Sequence, residues 1–255
     1  PLDLTPKGDG AALADAVGGT LTATGSVRIE GAVQVSALAG YAAGDWGGQD
    51  GAAALPVAIL KPQSGEKIID LCCAPGGKTM QIAASGAEVT GVDTSDRRMQ
   101  RVRENLERAK LSADLVVGDA METRGQYDAV LLDAPCSATG TIRRHPDLPL
   151  VKDGSEFGEL IELQAQMLAH AVTLLKPGGR LVFCTCSLLP DEGECQIEDL
   201  LEVHPELEID REALKVVGVD PEWITQEGGL RLRPDYWAEQ GGMDGFYIAL
   251  LRKPA

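Results

Sequence analysis

Metal-ligand patterns are almost absent from this sequence of 255 residues. Its three histidines, His145, His170 and His204, are scattered, and no two of its six cysteines show the C-x-x-C spacing that is typical of zinc and redox sites. We therefore expect no bound metal. No N-terminal segment combines a basic start with an apolar run, so the cysteines are interpreted as reduced thiols of a cytoplasmic protein.

Long hydrophobic runs are also missing. The longest apolar stretches are interrupted by Gly, Asp or Lys, and none approaches the ~20 residues that a membrane-spanning helix requires. Hydrophobic residues still make up 44% of the chain and charged residues 24%, which is ordinary for a globular protein and unlike a disordered one. We expect a folded monomer with one principal core and no membrane association.

Positive charge is in short supply. The chain carries 23 Lys and Arg against 39 Asp and Glu, a formal net charge of −16. Because phosphate binding relies on clustered Lys and Arg, this balance argues against a broad nucleic-acid-binding surface. One basic run stands out: Arg97, Arg98, Arg101, Arg103, Arg108 and Lys110. It is interpreted as a solvated helix face, with a local nucleic-acid patch as the alternative.

The chain divides near residue 48. Residues 1–48 are rich in Gly, Ala and Thr, with short β-like stretches at Thr20–Thr24 and Ser26–Glu30. We interpret them as a small N-terminal accessory region, and because the chain begins at Pro1 without a methionine, we expect this region to be incomplete. Residues 49–255 form the principal domain, which begins with a helix in GAAALPVAIL that ends before Pro62.

Short apolar strands then alternate with amphipathic helices. The predicted strands are Lys67–Leu71, Glu88–Asp93, Asp114–Val117, Tyr127–Leu132 and Arg180–Thr185, and the predicted helices between them are Lys78–Ala84, Ser95–Ala109 and Glu156–Leu175. This alternation predicts an α/β fold with a doubly wound, mostly parallel sheet. A helix near Glu192–Val203, a strand around Leu207–Ile209 and the apolar run Phe246–Leu251 complete the pattern.

The segment KIIDLCCAPGGKT places a strand, a glycine-containing turn and a helix start in succession, which is typical of a cofactor-binding loop. A P-loop requires a glycine where Cys72 stands, and the G-x-G-x-x-G dinucleotide fingerprint is also absent. Two acids end the following strands: Asp93, 23 residues after Asp70, and Asp119. They suit the ribose and adenine of an adenosyl ligand, and an acidic site tolerates a sulfonium better than a pyrophosphate.

Two cysteines, Cys136 in LLDAPCSATG and Cys186 in VFCTCSLLP, follow neighbouring predicted strands, where open α/β sheets bind ligands. A thiolate there can add to carbon 6 of cytosine and make carbon 5 nucleophilic toward a methyl sulfonium. We expect Asp133 to hydrogen-bond the ring and Lys78 to lower the pKa of the thiol. The remaining cysteines are interpreted as small buried hydrophobes: Cys72, Cys73, Cys184 and Cys195.

With these motifs in view, the sequence resembles the Sun/Nop family of RNA cytosine-5 methyltransferases, most closely the bacterial small-subunit ribosomal RNA methyltransferase B type. The resemblance covers about residues 49–253 and rests on DLCCAPGGKT at 70–79, GVDTSDRR at 91–98, GDA at 118–120, DAPCSATGTIRRHPD at 133–147, CTCSLLPDEGE at 184–194 and DGFYIALLRK at 244–253. It implies a Rossmann-like class I fold that uses S-adenosylmethionine to methylate RNA, with ribosomal RNA as the expected partner.

The resemblance also implies roles for residues. Cys186 is expected to be the nucleophile, Cys136 to assist release of the methylated product, and Asp133 and Lys78 to act at the base. The residues expected to bind S-adenosylmethionine are Cys73, Ala74, Pro75, Gly76, Gly77, Lys78, Asp93, Arg98, Asp119 and Asp133. DNA cytosine methyltransferases lack the later cysteine, so the pair favours RNA.

Two other functions compete with this hypothesis. A non-catalytic RNA-binding or ribosome-assembly factor could keep the fold, although a scaffold has no need of two thiols at strand ends. An exocyclic-amine methyltransferase would pair an Asn or Asp with Pro-Pro and an aromatic residue, whereas this sequence has DAPC at that place. Family members usually carry an N-terminal helical RNA-binding domain that this sequence lacks, so we expect weak RNA affinity from the chain alone.

Overall fold

A computed structural model describes all of residues 1–255. The chain begins with a four-stranded antiparallel sheet in the order β2-β3-β1-β4. Its elements are β1 (Leu2–Pro6), α1 (Gly10–Val17), β2 (Thr20–Leu21), β3 (Val27–Ile29) and β4 (Trp46–Gly48). Both predicted strands are present but shorter than expected, whereas β1, α1 and β4 were not predicted. Strand β4 consists of Trp-Gly-Gly, whose two glycines have little intrinsic β propensity, and it depends on pairing with β1.

The small sheet is bound to the rest of the chain through Arg28. Its guanidinium forms a two-pronged ion pair with Asp3 at 2.7 Å and also donates to the carbonyls of Gln240 and Gly242 at 2.7 Å. Asp3 in turn accepts from the backbone N–H of Gly51 at 2.9 Å. Residues 1–48 therefore pack onto the larger sheet instead of extending away from it.

The larger sheet has the strand order β10-β12-β9-β8-β5-β6-β7, with β11 pairing on β12 as well. Strands β5 to β9 run parallel and β12 lies antiparallel to β9. The elements are α2 (Gly51–Leu60), β5 (Lys67–Leu71), α3 (Gly77–Ala84), β6 (Glu88–Asp93), α4 (Asp96–Ala109), β7 (Asp114–Val117), β8 (Tyr127–Asp133), α5 (Leu148–Val151), α6 (Phe157–Thr173), β9 (Leu175–Thr185), α7 (Glu194–Val203), β10 (Glu208–Ile209), β11 (Leu230–Leu232) and β12 (Phe246–Arg252).

Both faces of this sheet are covered, which confirms the doubly wound prediction. Neighbouring residues of β5 point to opposite faces: Ile68 packs with Leu55 and Ile59 of α2, whereas Ile69 lies in the second core with Leu168 of α6. All five are buried. The chain runs from β5 outward to β6 and β7 and then returns to β8 on the other side of β5. The crevice at the carboxyl ends of β5 and β8 is therefore the expected ligand site.

The largest difference from the predicted boundaries lies around residue 175. The predicted helix to Leu175 ends at Thr173, because the carbonyl of Leu174 accepts a hydrogen bond from the N–H of Tyr127 at the start of β8. Strand β9 consequently begins at Leu175, five residues before the predicted Arg180. Tertiary pairing with β8 decides this boundary, and the local sequence does not show it.

The basic run lies on α4 and is mostly a solvated face, as interpreted, with Arg97, Arg101 and Arg103 exposed. Arg108 differs from them. Its guanidinium lies 4.6 Å above the ring of Tyr41 and donates to the carbonyls of Tyr41 and Trp46, both at 3.1 Å. This arginine fastens α4 to the N-terminal sheet. None of the helices combines the length and apolar character that crossing a bilayer requires.

Candidate active site

A cavity of about 500 Å³ opens at the carboxyl ends of β5 and β8. Its lining includes the predicted residues Cys73, Ala74, Pro75, Gly77, Lys78, Asp133 and Cys186. The opposite wall is lined by residues that were not singled out from the sequence, among them Asp50, Arg143, Arg144, Asp244 and Phe246. Gly76, Asp93, Arg98, Asp119 and Cys136 lie outside this lining.

The two candidate cysteines meet at this edge of the sheet. Cys136 follows β8 and Cys186 follows β9, and their Sγ atoms lie 3.5 Å apart. Hydrogen-bond donation from the Cys136 thiol lowers the pKa of Cys186 and outweighs the opposing effect of burial. The same contact, together with burial, raises the pKa of Cys136. In this pair Cys136 is therefore the hydrogen-bond donor, and Cys186 is the cysteine that loses its proton more easily.

Close backbone packing keeps the two cysteine loops together. The N–H of Gly140 donates to the carbonyl of Cys186 at 2.9 Å, and the N–H of Gly245 donates to the carbonyl of Gly140 at 2.8 Å. A Cβ atom at Gly140 would lie 2.0 Å from the carbonyl oxygen of Gly245. Only glycine fits at this position, which is the reason for the T-G-T sequence that follows D-A-P-C-S.

Lys78 and Asp133 form the second pair at the site. Lys78, in the first turn of α3, is only 8% exposed and donates from Nζ to Oδ2 of Asp133 at 2.8 Å. Burial opposes the charge of Lys78, but the Asp133 carboxylate raises the pKa of Lys78 above its ordinary value, so the ammonium stays charged. Its charge also acts to lower the pKa of Cys186, although the Cys136 thiol has the larger effect.

Asp70, at the end of β5, is a site residue that the sequence analysis used only as a reference point. It is 1% exposed and lines the cavity. Its Oδ2 accepts from the hydroxyl of Thr79 at 2.6 Å, whereas Oδ1 is buried without a partner. Burial raises the pKa of Asp70 to about 7. An acceptor of this kind suits a ligand that brings an N–H donor or a positive charge.

Asp93 is hydrogen-bonded to the backbone of two neighbouring loops. It is buried, and its carboxylate accepts from the backbone N–H groups of Ala74 at 3.3 Å and Ser95 at 2.9 Å. Arg98 lies 3.5 Å from the same carboxylate and donates to the carbonyl of Ala74 at 2.5 Å. Asp93 and Arg98 thus hold the cofactor-binding loop, and their direct contact with a ligand remains a prediction.

Asp119 and the four other cysteines occupy different surroundings. Asp119 is exposed, and its Oδ1 accepts from the N–H of Met121 at 2.9 Å, so it caps a short turn outside the cavity. Cys184 is fully buried, as a small hydrophobic residue would be. Its thiol also donates a hydrogen bond to Oδ1 of Asp133 at 3.5 Å. Cys73 is buried, whereas Cys72 and Cys195 are partly exposed. No group of three or more His, Cys, Asp or Glu side chains is arranged to hold a metal ion.

The far wall of the cavity is a network of two arginines and two aspartates. Arg144 donates to Oδ2 of Asp244 at 2.5 and 2.8 Å and to Oδ1 at 3.1 Å, and Arg143 pairs with Asp50 at 2.7 Å. Asp244 is 1% exposed, and its N–H donates to Asp50 at 3.1 Å. The sequence signal for this wall was present in the R-R-x-P-D and D-G-F-Y motifs, which carry the arginines and Asp244.

Comparison with known proteins shows the family of this chain. A family model described as 16S rRNA methyltransferase RsmB/F matches residues 57–252. The chain belongs to the RsmB/F family. This result confirms the resemblance to the Sun/Nop methyltransferases. The Ribosomal RNA small subunit methyltransferase B of Vibrio cholerae is 41% identical over 232 residues, which cover 88% of this chain and 50% of that protein.

The protein of the same name from Yersinia enterocolitica is 45% identical over 235 residues, covering 89% of this RsmB/F member and 52% of that relative. The chain therefore spans about half the length of the curated relatives it matches. Among solved structures, NSun6 from Pyrococcus horikoshii, crystallised with SFG, superposes with a TM-score of 0.75 at 26% identity, covering 88% of this chain and 57% of that one.

A methyltransferase homologue from Pyrococcus horikoshii superposes with a TM-score of 0.78 at 24% identity, covering 99% of this chain and 86% of that one. This second likeness concerns the fold. Together with the strand order, it confirms that this RsmB/F member has the predicted class I methyltransferase fold, with a mostly parallel sheet and one antiparallel strand.

Proposed function

We propose that the chain is the catalytic part of an S-adenosylmethionine-dependent RNA cytosine-5 methyltransferase that acts on small-subunit ribosomal RNA in the cytoplasm. The observation that carries the proposal is the contact between Cys136 and Cys186, whose Sγ atoms lie 3.5 Å apart beside the cavity. A scaffold that only binds RNA needs no such pair, and exocyclic-amine methylation needs no thiol. The family and the names of its relatives support the choice of RNA and ribosome.

S-adenosylmethionine fits the residues that are present. Cys73, Ala74, Pro75, Gly77 and Lys78 of the loop line the cavity, and so does Asp70, which has one buried oxygen without a partner. When bound, the cofactor supplies an electrophilic methyl group on a sulfonium. The acidic Asp70 favours a positively charged ligand and disfavours a phosphate-bearing one.

Cys186 performs the first chemical step in this proposal. Its thiolate forms a bond to carbon 6 of the cytosine, and the electron pair of the C5–C6 double bond becomes available at carbon 5 for methylation. Asp133, which lines the same cavity, accepts a hydrogen bond from the exocyclic amine and stabilises a proton on the ring nitrogen, so that electron density moves toward that edge. Lys78 holds Asp133 in place through the 2.8 Å hydrogen bond.

Cys136 acts at the end of the reaction. After methylation a base removes the proton from carbon 5, the C5–C6 double bond re-forms, and the bond between carbon 6 and Sγ of Cys186 breaks. The sulfur of Cys136 lies 3.5 Å from this leaving sulfur, and the raised pKa of Cys136 makes its thiol the hydrogen-bond donor of the pair. Donation lowers the pKa of Cys186, which makes its thiolate a better leaving group.

The test is the position of the methyl group. The protein is incubated with S-adenosylmethionine and small-subunit ribosomal RNA from a strain without the gene, at high RNA concentration. The RNA is then digested and its nucleosides are separated by mass spectrometry. We expect 5-methylcytidine among these nucleosides. A methyl group on an exocyclic amine, or none at any RNA concentration, would show that the proposal is wrong.

A further inference from the structure

Glu192 is a buried carboxylate that the mechanism above does not use. It ends a short 3-10 turn after β9 and is fully buried. Its two oxygens accept from the N–H of Ser137 at 2.9 and 3.2 Å, from the Ser137 hydroxyl at 2.5 Å and from Nε2 of Gln164 at 3.0 Å. Removing a carboxylate from water is costly unless its oxygens are well satisfied, and here they are.

The hydrogen-bond partners of Glu192 are the chain neighbours of the two cysteines. Ser137 directly follows Cys136, and its hydroxyl lies 3.2 Å from the hydroxyl of Ser187, which directly follows Cys186. The hydroxyl of Thr139 lies 3.2 Å from both serine hydroxyls. The Glu192 carboxylate thus binds the first loop directly at Ser137, and the hydroxyls of Ser137 and Thr139 extend the network to Ser187 of the second loop.

Glu192 is also fastened to the second loop through its own backbone. Its carbonyl accepts from the hydroxyl of Thr185, the last residue of β9, at 2.8 Å. Gln164, which donates to the carboxylate, also donates to the carbonyl of Pro135 at 2.8 Å. Glu192 is therefore linked to the residues on both sides of Cys136 and to the strand that ends just before Cys186.

We propose that Glu192 is a positioning residue that holds Cys136 and Cys186 at thiol-to-thiol contact distance. The importance of that distance for catalysis rests on the function proposed above. The placement itself does not, because it follows from the hydrogen bonds. The two thiols belong to loops after different strands, and the sheet alone aligns only Asp133 with Cys184. The remaining alignment is supplied by the Glu192 network and by Gly140.

The charge of Glu192 also favours one of the two thiols, Cys136, as the hydrogen-bond donor. After the contact with Cys186 and burial, the negative charge of Glu192 is a further cause that raises the pKa of Cys136 and keeps its proton in place. The other charged groups that face the pair are Lys78, Asp133, Asp244 and Arg144. Cys136 accordingly remains the donor and Cys186 the acceptor.

The test measures how fast iodoacetamide alkylates Cys186 as a function of pH, with peptide mass mapping to separate the six cysteines. Glu192→Gln keeps the size of the side chain but removes the charge. We expect its Cys186 profile to move to higher pH, toward that of Cys136→Ala, with a rate at pH 7 that is about threefold to tenfold lower. The KM for S-adenosylmethionine should stay unchanged while kcat falls.

The matched control is Glu66→Gln. Glu66 also forms a partly buried charge pair, with Arg180 at 2.8 Å, but at the opposite end of the sheet. The Glu66→Gln variant should be less stable than wild type, but the pH dependence of Cys186 alkylation should be unchanged. If Glu192→Gln does not fold, Ser137→Ala decides, because it removes one hydrogen bond of the same carboxylate and should shift the profile in the same direction.

A Glu192→Gln protein, or failing that a Ser137→Ala protein, with the wild-type Cys186 profile would overturn the proposal and leave Glu192 a purely structural residue. The alkylation assay contains neither RNA nor cofactor. A shifted profile in a protein that methylates no cytosine would therefore support the placement while rejecting the proposed reaction.

Discussion

Lys78 donates a hydrogen bond from Nζ to Oδ2 of Asp133 across 2.8 Å, joining the first turn of α3 to the end of β8. The two residues are 55 positions apart in the chain. The ion pair lies at the topological switch point of the sheet, so it connects the loop expected to hold the cofactor with the carboxylate expected to hold the base. Substitutions that remove this ion pair should therefore affect stability and activity differently.

Lys78→Met and Asp133→Asn should each lower the melting temperature, because each leaves the partner charge unpaired in a partly buried site. The double variant should recover most of the lost stability, at about 2–4 °C per kcal/mol for a chain of this size. All three should methylate RNA at least about 100-fold more slowly than wild type. Thermal unfolding and methyl-transfer assays check this, and a double variant less stable than either single one would contradict it.

The two thiols should be distinguishable by trapping. Cys186→Ser should abolish methylation without leaving an adduct, because a hydroxyl is a far weaker nucleophile than a thiolate. Cys136→Ser should slow release and leave a protein–RNA adduct that survives denaturing electrophoresis and disappears in the double variant. An adduct that accumulates in Cys186→Ser and requires Cys136 would reverse the assigned roles.

Asp93→Ala should weaken S-adenosylmethionine binding at least tenfold, about 1.4 kcal/mol, as expected for the loss of a charge-assisted hydrogen bond. The structure adds a reason, since Asp93 accepts from the N–H of Ala74 and orders the cofactor-binding loop. Isothermal calorimetry measures the affinity. Asp96→Ala is the control, because Asp96 is exposed and pairs only with Arg103. Equal affinities of the two variants would remove Asp93 from the site.

Asp70 should make stability depend on pH. Burial raises its pKa in the folded protein to about 7, against an unfolded value of about 3.9. The folded state therefore binds the extra proton between these values, and its stability falls as pH rises from about 4 to 7. As pH rises from about 4 to 7, the melting temperature of Asp70→Asn should increase relative to that of wild type, and above this interval the difference should stay constant. A difference between the two proteins that stays constant from pH 4 to 8 would refute the assignment.

RNA affinity of the chain itself should be low, with a weak dependence on salt. The formal net charge is −16, and one member of the basic run, Arg108, is turned inward onto Tyr41. Filter binding of ribosomal RNA at about 50 and 200 mM salt checks this, because a protein that neutralises six to ten phosphates loses roughly 1,000-fold or more over that range. Tight binding with such a loss would show that an extensive phosphate-contacting surface exists.

Much of the fold could be predicted because its signals are local. Apart from the exposed edge strand β7, the strands from Lys67 to Thr185 are largely buried runs bounded by turn residues, and their alternation with helices allows few topologies. The placement of Cys136 and Cys186 at one edge followed from the same rule, because parallel neighbours end together. The N-terminal sheet was largely missed, since β1 pairs with β4 across more than forty residues and Trp-Gly-Gly carries no strand signal.

The sequence alone determined the class of fold and placed the two candidate thiols, Cys136 and Cys186, at one edge of the sheet, because both inferences depend on residue type and spacing. Only the tertiary structure decided the 3.5 Å contact between those thiols, the hydrogen bond from the N–H of Ala74 to Asp93, and the burial of Glu192 with its hydrogen bond to Ser137. These features depend on side chains from distant segments meeting in a low-dielectric interior. Hydrogen-bond partners there are selected by packing, which no local pattern records.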